Sequence, residues 1–212
     1  MKLYHAPGTC SFAVLQVLHE LELPFEIELV DLRSKRTLRG RDFLTVNPNG
    51  YVPALELDDG EVLLEAPAIL QYLADLRPDA QLAPPPASLD RVRLQSHLNF
   101  ASAELHKSFG VFFAPVQPEG DARSFASQRL SARLDQVESK LLGAGPWLTG
   151  ERFTIADAYT AVVASWIEAV GLDRTQWPQI DAYVDRFFDR PSAHAARRHE
   201  EDDAKAGAAG AS

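Results

Sequence analysis

The sequence predicts an α/β part at the N-terminus followed by an all-helical part. Strand-like and helix-like segments alternate in the first third of the chain, and only helical periodicity follows residue 87. Between them lies a proline-rich stretch, residues 78–87, which is typical of a linker. We therefore divide the 212-residue chain into residues 1–77, this linker, a helical part over 88–200, and a disordered tail over 201–212.

The N-terminal part is predicted to follow the order βαβαββα. The predicted strands cover residues 2–5, 25–30, 52–57 and 61–64, and two of the predicted helices cover residues 11–22 and 65–76. The remaining helix of this order is assigned to the polar segment that ends at Val46. Asp58-Asp59-Gly60 is a hairpin turn, and Pro67 lies in the first turn of a helix, where its missing N–H costs little.

The helical part shows apolar residues at spacings of three and four. One such stripe consists of Leu94, Leu98, Ala101, Leu105 and Phe109. Thr154 and Asp157 fit a capping box. In this motif the threonine side chain caps the helix, and the acid three residues later bonds back to the threonine N–H. The helix that follows is apolar on nearly every side, so we expect it to be buried at the centre of this part.

Composition excludes several classes of protein. The net charge of −9 argues against nucleic acid as a partner, since phosphate binding needs a basic surface. No apolar run approaches the roughly 20 residues that span a bilayer. A single cysteine forms no intrachain disulfide, no secretory signal is evident, and the histidines show no metal-site spacing. We expect a cytoplasmic protein without a metal.

Cys10 is the residue most suggestive of chemistry. It lies between a strand with its turn and the first predicted helix. A thiol at a helix N-terminus meets the positive end of the helix dipole and unpaired N–H groups, which favour a thiolate. The alternative is a small buried apolar side chain, which is what most lone cysteines are.

A basic run over residues 33–41 contrasts with the acidic chain. It contains Arg33, Lys35, Arg36, Arg39 and Arg41. One interpretation is a solvated surface, and the other is an electrostatic funnel for a small anion.

Together these features resemble the cytosolic glutathione S-transferases, and in particular their bacterial beta class. The matching stretches are Pro7-Gly8-Thr9-Cys10-Ser11, Asn47-Pro48-Asn49-Gly50-Tyr51-Val52-Pro53, residues 65–75, Leu98-Asn99-Phe100 and residues 153–159. The resemblance covers nearly the whole chain and fails only in the last dozen or so residues. It implies a thioredoxin-like first domain, an all-α second domain, and glutathione as co-substrate.

The resemblance also implies a site for each part of glutathione. A cis Val52–Pro53 peptide turns the Val52 backbone toward the cysteinyl unit, beside Tyr51. Lys35 meets the glycyl carboxylate, although a mobile surface lysine is the alternative. Glu65 and the Ala66 N–H hold the γ-glutamyl end, where relatives carry serine or glycine in place of Ala66. A helix N-terminal acid is the plainer reading of Glu65.

For the helical part, the resemblance places Asn99 and His106 on one helix face near the thiol. Residues seven apart in an α-helix differ by about 20° in direction. His106 then donates to a sulfur anion or accepts its proton, unless it is a packed structural histidine. Glu104 and Lys107 are expected near a subunit interface, which implies a homodimer.

The predicted reaction is attack of the glutathione sulfur on a small, largely apolar electrophile, with Cys10 and His106 as catalytic residues. Tyr4 and Ser11 are competing hydroxyls for the sulfur. The apolar subsite is expected near Phe109, Phe112, Phe113 and Trp166, although these residues also fit ordinary core packing. Two alternatives stay open, a monothiol disulfide reductase that uses Cys10 and a non-enzymatic ligand carrier.

Overall fold

A computed structural model describes residues 1–141 and 145–210, with backbone alone at 140, 141 and 203–210. The chain divides into two compact units. The first combines Met1–Ala80 with Asp189–Ser212, and the second is Gln81–Phe188. The all-helical unit therefore ends at Phe188 rather than at residue 200 as predicted, because the final helix belongs to the first unit.

The first unit is built on a five-stranded mixed sheet in the order β3-β2-β1-β4-β5. The strands are β1 (Lys2–His5), β2 (Glu26–Asp31), β3 (Arg36–Thr37), β4 (Ala54–Glu56) and β5 (Val62–Leu64). β1 runs parallel to β2, and the other neighbours are antiparallel. Helices α1 (Ser11–Glu20) and α2 (Ala66–Leu76) complete the predicted thioredoxin-like arrangement.

The helix predicted between β2 and β4 is the main difference in this unit. The polar segment forms instead the two-residue β3 and a 3-10 turn at Phe43–Thr45. Asp31 accepts the N–H of Arg33 at 2.9 Å, and Asp42 accepts the N–H of Leu44 at 3.0 Å. Side chains that bond nearby backbone groups in this way compete with helix formation.

Helix α8 (Pro191–Gly210) packs on α1 within the first unit. Gln16 Nε2 donates to Ser192 Oγ at 2.7 Å, and Arg190 forms an ion pair with Glu20. The backbone is helical through residue 210, which differs from the predicted disordered tail; residues 211 and 212 lie outside the described part. Alanine, abundant in this tail, has the highest helix propensity.

The regular structure of the second unit's described residues consists of α- and π-helical segments, apart from 3-10 turns at Glu168–Val170 and Arg174–Gln176 and a β-bridge between Trp147 and Gly150. The α- and π-helical segments are α3 (Leu89–Phe100), a π-helical segment (Ala101–His106), α4 (Lys107–Gly110), α5 (Gly120–Gln136), a second π-helical segment (Val137–Leu141), α6 (Ile155–Ala164) and α7 (Pro178–Phe188). Every residue of α6 is buried, which confirms the predicted central helix.

The predicted capping box at the start of α6 is also confirmed. The Thr154 N–H and hydroxyl donate to Asp157 Oδ2 at 2.7 and 2.8 Å. Asp157 Oδ1 accepts the N–H of Leu148 at 2.8 Å and the hydroxyl of Tyr183 at 3.2 Å. Burial raises the pKa of the Asp157 carboxyl to about 6 despite these donors. One carboxylate thus ties α6 to the loop before it and to α7.

We expect Asp157→Ala to lower the free energy of unfolding by about 3 kcal/mol, because it removes a cap and leaves buried N–H donors without an acceptor. Urea unfolding followed by circular dichroism measures the loss. Asp173→Ala is the matched control, since Asp173 caps Thr175 with a 2.9 Å bond at an exposed site. Equal losses in the two variants would contradict the role given to burial.

Candidate functional site

Cys10 immediately precedes α1, as predicted, but its sulfur lies inside the unit. The residue is 8% exposed, and Sγ donates to the backbone oxygen of Val52 at 3.5 Å. Burial is the main cause that raises the pKa of the Cys10 thiol to about 12; the residue's own N–H opposes the shift, and the charge of Glu65 adds a smaller contribution to it. Desolvation therefore outweighs the helix N-terminus, and the group is a neutral thiol at neutral pH.

The turn that carries Cys10 is held by a network of hydroxyl groups. Ser11 Oγ lies 2.7 Å from both Thr9 Oγ1 and His5 Nδ1, and it donates to the backbone oxygen of Ala6. His5 Nε2 lies 3.0 Å from a carboxylate oxygen of Glu200 on α8. The Ser11 hydroxyl is thus engaged within the turn rather than offered to a ligand sulfur.

Tyr4, the other competing hydroxyl, is also engaged elsewhere. It donates to Glu56 Oε2 at 2.6 Å and accepts from Arg41 at 2.9 Å. Burial, with the hydrogen bond to Glu56, raises the pKa of Tyr4 to about 12. Of the three candidate groups near the N-terminus, Cys10 fits the role of sulfur partner best.

The backbone at Val52 lies beside Cys10. The Val52–Pro53 peptide is cis, as the resemblance implied. The pairing of β1 with β4 begins at Ala54, opposite Tyr4, so Val52 lies beyond the paired positions of the strand. The β1–β4 ladder therefore leaves the backbone of Val52 outside its paired register.

Glu65 and Ala66 form the start of α2. Glu65 has φ 66° and ψ 113°, a rare conformation for a residue with a side chain. Its carbonyl accepts the N–H groups of Ala68 and Ile69, whereas its exposed carboxylate makes no capping bond within the described residues. Glu65 is the N-cap residue of α2 without a side-chain capping bond, and a negative charge at this helix N-terminus is favourable with or without a ligand. Strained backbone of this kind concentrates at functional sites.

Lys35 and Tyr51, which are both predicted ligand-binding residues, lie next to each other in the structure. Lys35 Nζ donates to the Gly50 oxygen at 2.8 Å and lies 5.8 Å from the centre of the Tyr51 ring, which is 67% exposed. Two other cations of the basic run face carboxylates, since Arg39 pairs with Glu28 and Arg41 with Glu56.

His106 belongs to the second unit, at the end of the π-helical segment. Its Nδ1 lies 2.8 Å from the Tyr159 hydroxyl, and its ring lies 5.0 Å from that of Trp166. Burial lowers the pKa of His106 to about 4, with a smaller contribution from the charge of Lys107. The ring is therefore neutral at pH 7, which excludes an imidazolium donor.

The continuous α-helix assumed between Asn99 and His106 is not present. The π-helical segment Ala101–His106 intervenes, and its wider turns change the relation between residues seven apart. Asn99 is exposed, whereas His106 is half-buried. Lys107 is exposed, and Glu104 accepts from Arg133 Nε at 2.8 Å.

The predicted aromatic subsite is divided between core and surface. Phe109 and Phe112 are buried, whereas Phe113 is 50% exposed. The rings of Phe109 and Phe113 meet Trp166 edge-on at 5.9 and 5.7 Å. Of these four rings, Phe113 and Trp166 retain surface exposed to solvent.

Sequence reasoning did not single out His5 or Glu200. His5 ends β1 and is fully buried, and its partner lies 195 positions away along the chain. A local pattern carries no signal for such a pair. Among the side chains that the structure describes, no group of three metal-ligating residues occurs. None of the helices described has the length and apolarity needed to cross a membrane.

Comparison with known proteins identifies relatives of the whole chain. Family models for the N-terminal and C-terminal domains of glutathione S-transferases match residues 8–76 and 100–191. Glutathione S-transferase GstA of Escherichia coli O157:H7 is 42% identical over 92% of this chain and 96% of its own.

Solved structures of glutathione S-transferases are also similar to this chain in fold. A bacterial beta class glutathione S-transferase of Sphingomonas chungbukensis is 42% identical with a TM-score of 0.90, over 94% of this chain and 98% of its own. A sphingomonad glutathione S-transferase solved in complex with glutathione is also 42% identical, with a TM-score of 0.90. The match covers 95% of this chain and 99% of that chain.

We expect alkylation of Cys10 by iodoacetamide to be slow in the ligand-free protein and to rise with pH up to at least pH 10. A thiol of pKa about 12 is about a thousandfold less ionised at neutral pH than one of pKa 9.0. Mass spectrometry reports this residue directly, because it is the only cysteine. The urea-unfolded chain is the control, and a midpoint below pH 8 in the folded chain would contradict the buried neutral thiol.

Proposed function

This chain belongs to the glutathione S-transferase family, and we propose that it is an enzyme that joins the sulfur of glutathione to small, largely apolar electrophiles. Glutathione is the co-substrate, and no metal takes part. The proposal is supported by relatives named as glutathione S-transferases, one of them solved in complex with glutathione. It is also supported by the arrangement around Cys10 in the first unit, which is the observation that carries it.

That arrangement supplies a partner for each part of glutathione. The Val52 backbone pairs with the cysteinyl unit, and Lys35, beside Tyr51, binds the glycyl carboxylate. The Ala66 N–H at the start of α2 binds the γ-glutamyl carboxylate, where a helix N-terminus favours an anion. Glu65, exposed and without a capping bond in the described structure, binds the ammonium.

The state of Cys10 favours conjugation over thiol–disulfide exchange. With a pKa of about 12, its S–H group is a donor, now directed at the Val52 oxygen. In the complex we assign this donor to the glutathione thiolate, which it stabilises by a hydrogen bond. Disulfide exchange would need Cys10 as the attacking thiolate, which burial disfavours.

In the second unit, His106 keeps its proposed catalytic role as a neutral imidazole. When the Tyr159 hydroxyl donates to Nδ1, the ring proton lies on Nε2, which is then a donor. A histidine of pKa about 4 is a weak base at pH 7, so hydrogen bonding, not proton removal, is its contribution. Asn99 and Lys107 stay proposed as ligand contacts, and Phe113 with Trp166 as the apolar subsite.

Removing the sulfur tests this assignment. We expect Cys10→Ala to lower kcat/KM for conjugation of a chlorodinitrobenzene about tenfold to a hundredfold, as for loss of a hydrogen bond to a charged group. The pKa of enzyme-bound glutathione, read from thiolate absorbance, is expected to rise.

Two controls separate the possible outcomes. S-methylglutathione, which has no ionisable thiol, is expected to bind Cys10→Ala and the wild type equally in calorimetry. Conjugation that survives in Cys10→Ala while disulfide reductase activity disappears would favour the redox alternative. A wild type that binds no glutathione and turns over neither substrate would exclude both enzyme proposals and leave a ligand carrier.

We also propose that the protein is a cytoplasmic homodimer, with Glu104 and Lys107 near the subunit interface. Light scattering after gel filtration is expected to give twice the chain mass of 23.4 kDa. Since Glu104 already pairs with Arg133, Lys107 is the better candidate for contact with glutathione in the partner chain. Lys107→Ala is then expected to weaken glutathione binding without changing the mass, and a monomer in the wild type would refute the proposal.

A further inference from the structure

Lys35 is held in one conformation by its own backbone. Its N–H donates to the Asp31 oxygen at 2.9 Å, and its carbonyl accepts the N–H of Phe43 at 2.8 Å. The residue has φ 57°, in the left-handed region. The turn before it is fixed as well, because Asp31 accepts the Ser34 hydroxyl at 2.6 Å. The lysine therefore starts from a fixed position rather than from a mobile loop.

The side chain of Lys35 is fixed by Gly50. Nζ donates to the Gly50 oxygen at 2.8 Å, so the stem passes directly over this glycine. A Cβ built on Gly50 would lie 3.1 Å from both Cδ and Cε of Lys35 and 3.2 Å from Cδ2 of Leu44. Carbon atoms prefer a separation of about 3.5–4.0 Å. A side chain at residue 50 would therefore push the Lys35 stem or Leu44 away by a few tenths of an ångström, away from the Gly50 oxygen that Nζ contacts.

A lysine fixed in this way suits a carboxylate ligand. An ammonium group has three N–H donors, and the Gly50 oxygen uses one of them, which leaves two to meet an anion. Binding then requires little further ordering of a long side chain, and preorganisation of this kind increases affinity. The Tyr51 ring beside Nζ adds an attractive face for the charge.

We propose that Gly50 is a positioning residue that sets Lys35 in place for a free carboxylate at the glycyl end of the ligand. This inference rests on the proposed glutathione site and extends it. Gly50 acts through Lys35 and does not touch the reacting sulfur. Selection for a free glycyl carboxylate over its ester is therefore a property of this glycine as well as of the lysine.

The test compares glutathione with its glycyl ethyl ester. We expect Gly50→Ala to raise KM for glutathione about tenfold, as for a weakened charge-assisted contact, while KM for the ester and kcat for both change little. Gly60→Ala is the matched control. Gly60 also has positive φ, +89°, but a Cβ there meets nothing within 4 Å. Gly60→Ala therefore measures the effect of placing alanine at a positive φ when no lysine side chain is displaced.

A double-mutant cycle shows whether Gly50 acts through Lys35. Lys35→Met keeps most of the stem and removes the charge, and it is expected to cause the same loss for glutathione alone. Adding Gly50→Ala to Lys35→Met is then expected to have no further effect on KM. Additive losses, or an equal loss for the ester, would overturn the inference.

The remaining outcomes are also distinguishable. If Gly50→Ala does not fold, Lys35→Met still decides the matter, because equal KM changes for glutathione and its ester in that variant refute the inference. If the wild type binds neither compound, the proposed function fails, and not the role of Gly50 alone.

Discussion

The burial of the Cys10 sulfur is the constraint on which the chemistry of the first unit depends. A helix N-terminus alone would lower the pKa of the thiol, but its influence is smaller than the cost of a charge in a buried place. The Val52 oxygen, 3.5 Å away, is an acceptor and so favours the protonated form. The site is therefore suited to a ligand that brings its own negative charge, and Cys10 contributes a proton donor.

The position of this donor depends on residues far away in the sequence. Ser11 and Thr9 hold the turn through their hydroxyls, and His5 joins Ser11 to Glu200 on α8. The last helix thereby fixes the turn before Cys10 as well as packing on α1. This contact adds to the packing of α8 on α1, which places residues beyond 188 in the first unit. A unit ending at residue 77 would lack the carboxylate that His5 contacts.

Periodicity and turn chemistry predicted most of the fold, because those signals are local. The sheet with its hairpin, the capping box at Thr154 and the buried helix α6 all follow from neighbouring residues. The helix expected before Val46 was wrong, since the bonds made by Asp31 and Asp42 are side-chain effects that hydrophobic periodicity does not register.

The sequence proposes which residues form the candidate site, and the structure adds their physical state. Cys10, Lys35 and Glu65 are proposed from the family pattern alone. Their charge states and conformations could not be predicted in this way, because the desolvation of Cys10 and the strained backbone of Glu65 result from packing across the whole unit. The clearance that Lys35 requires above Gly50 is likewise a distance between residues fifteen positions apart.

In each unit, burial holds one candidate site residue in its uncharged form at neutral pH. Cys10 stays protonated because its pKa is raised to about 12, and His106 stays unprotonated because its pKa is lowered to about 4. An S–H group of pKa about 12 can donate to a thiolate without protonating it, and a neutral imidazole N–H is likewise a donor that carries no acidic proton near neutral pH. An imidazolium of ordinary pKa would instead share its proton with the sulfur and reduce its nucleophilicity. Neutral donors therefore suit a reaction in which the anion must remain reactive, and burial, more than any single charged partner, is what keeps them neutral.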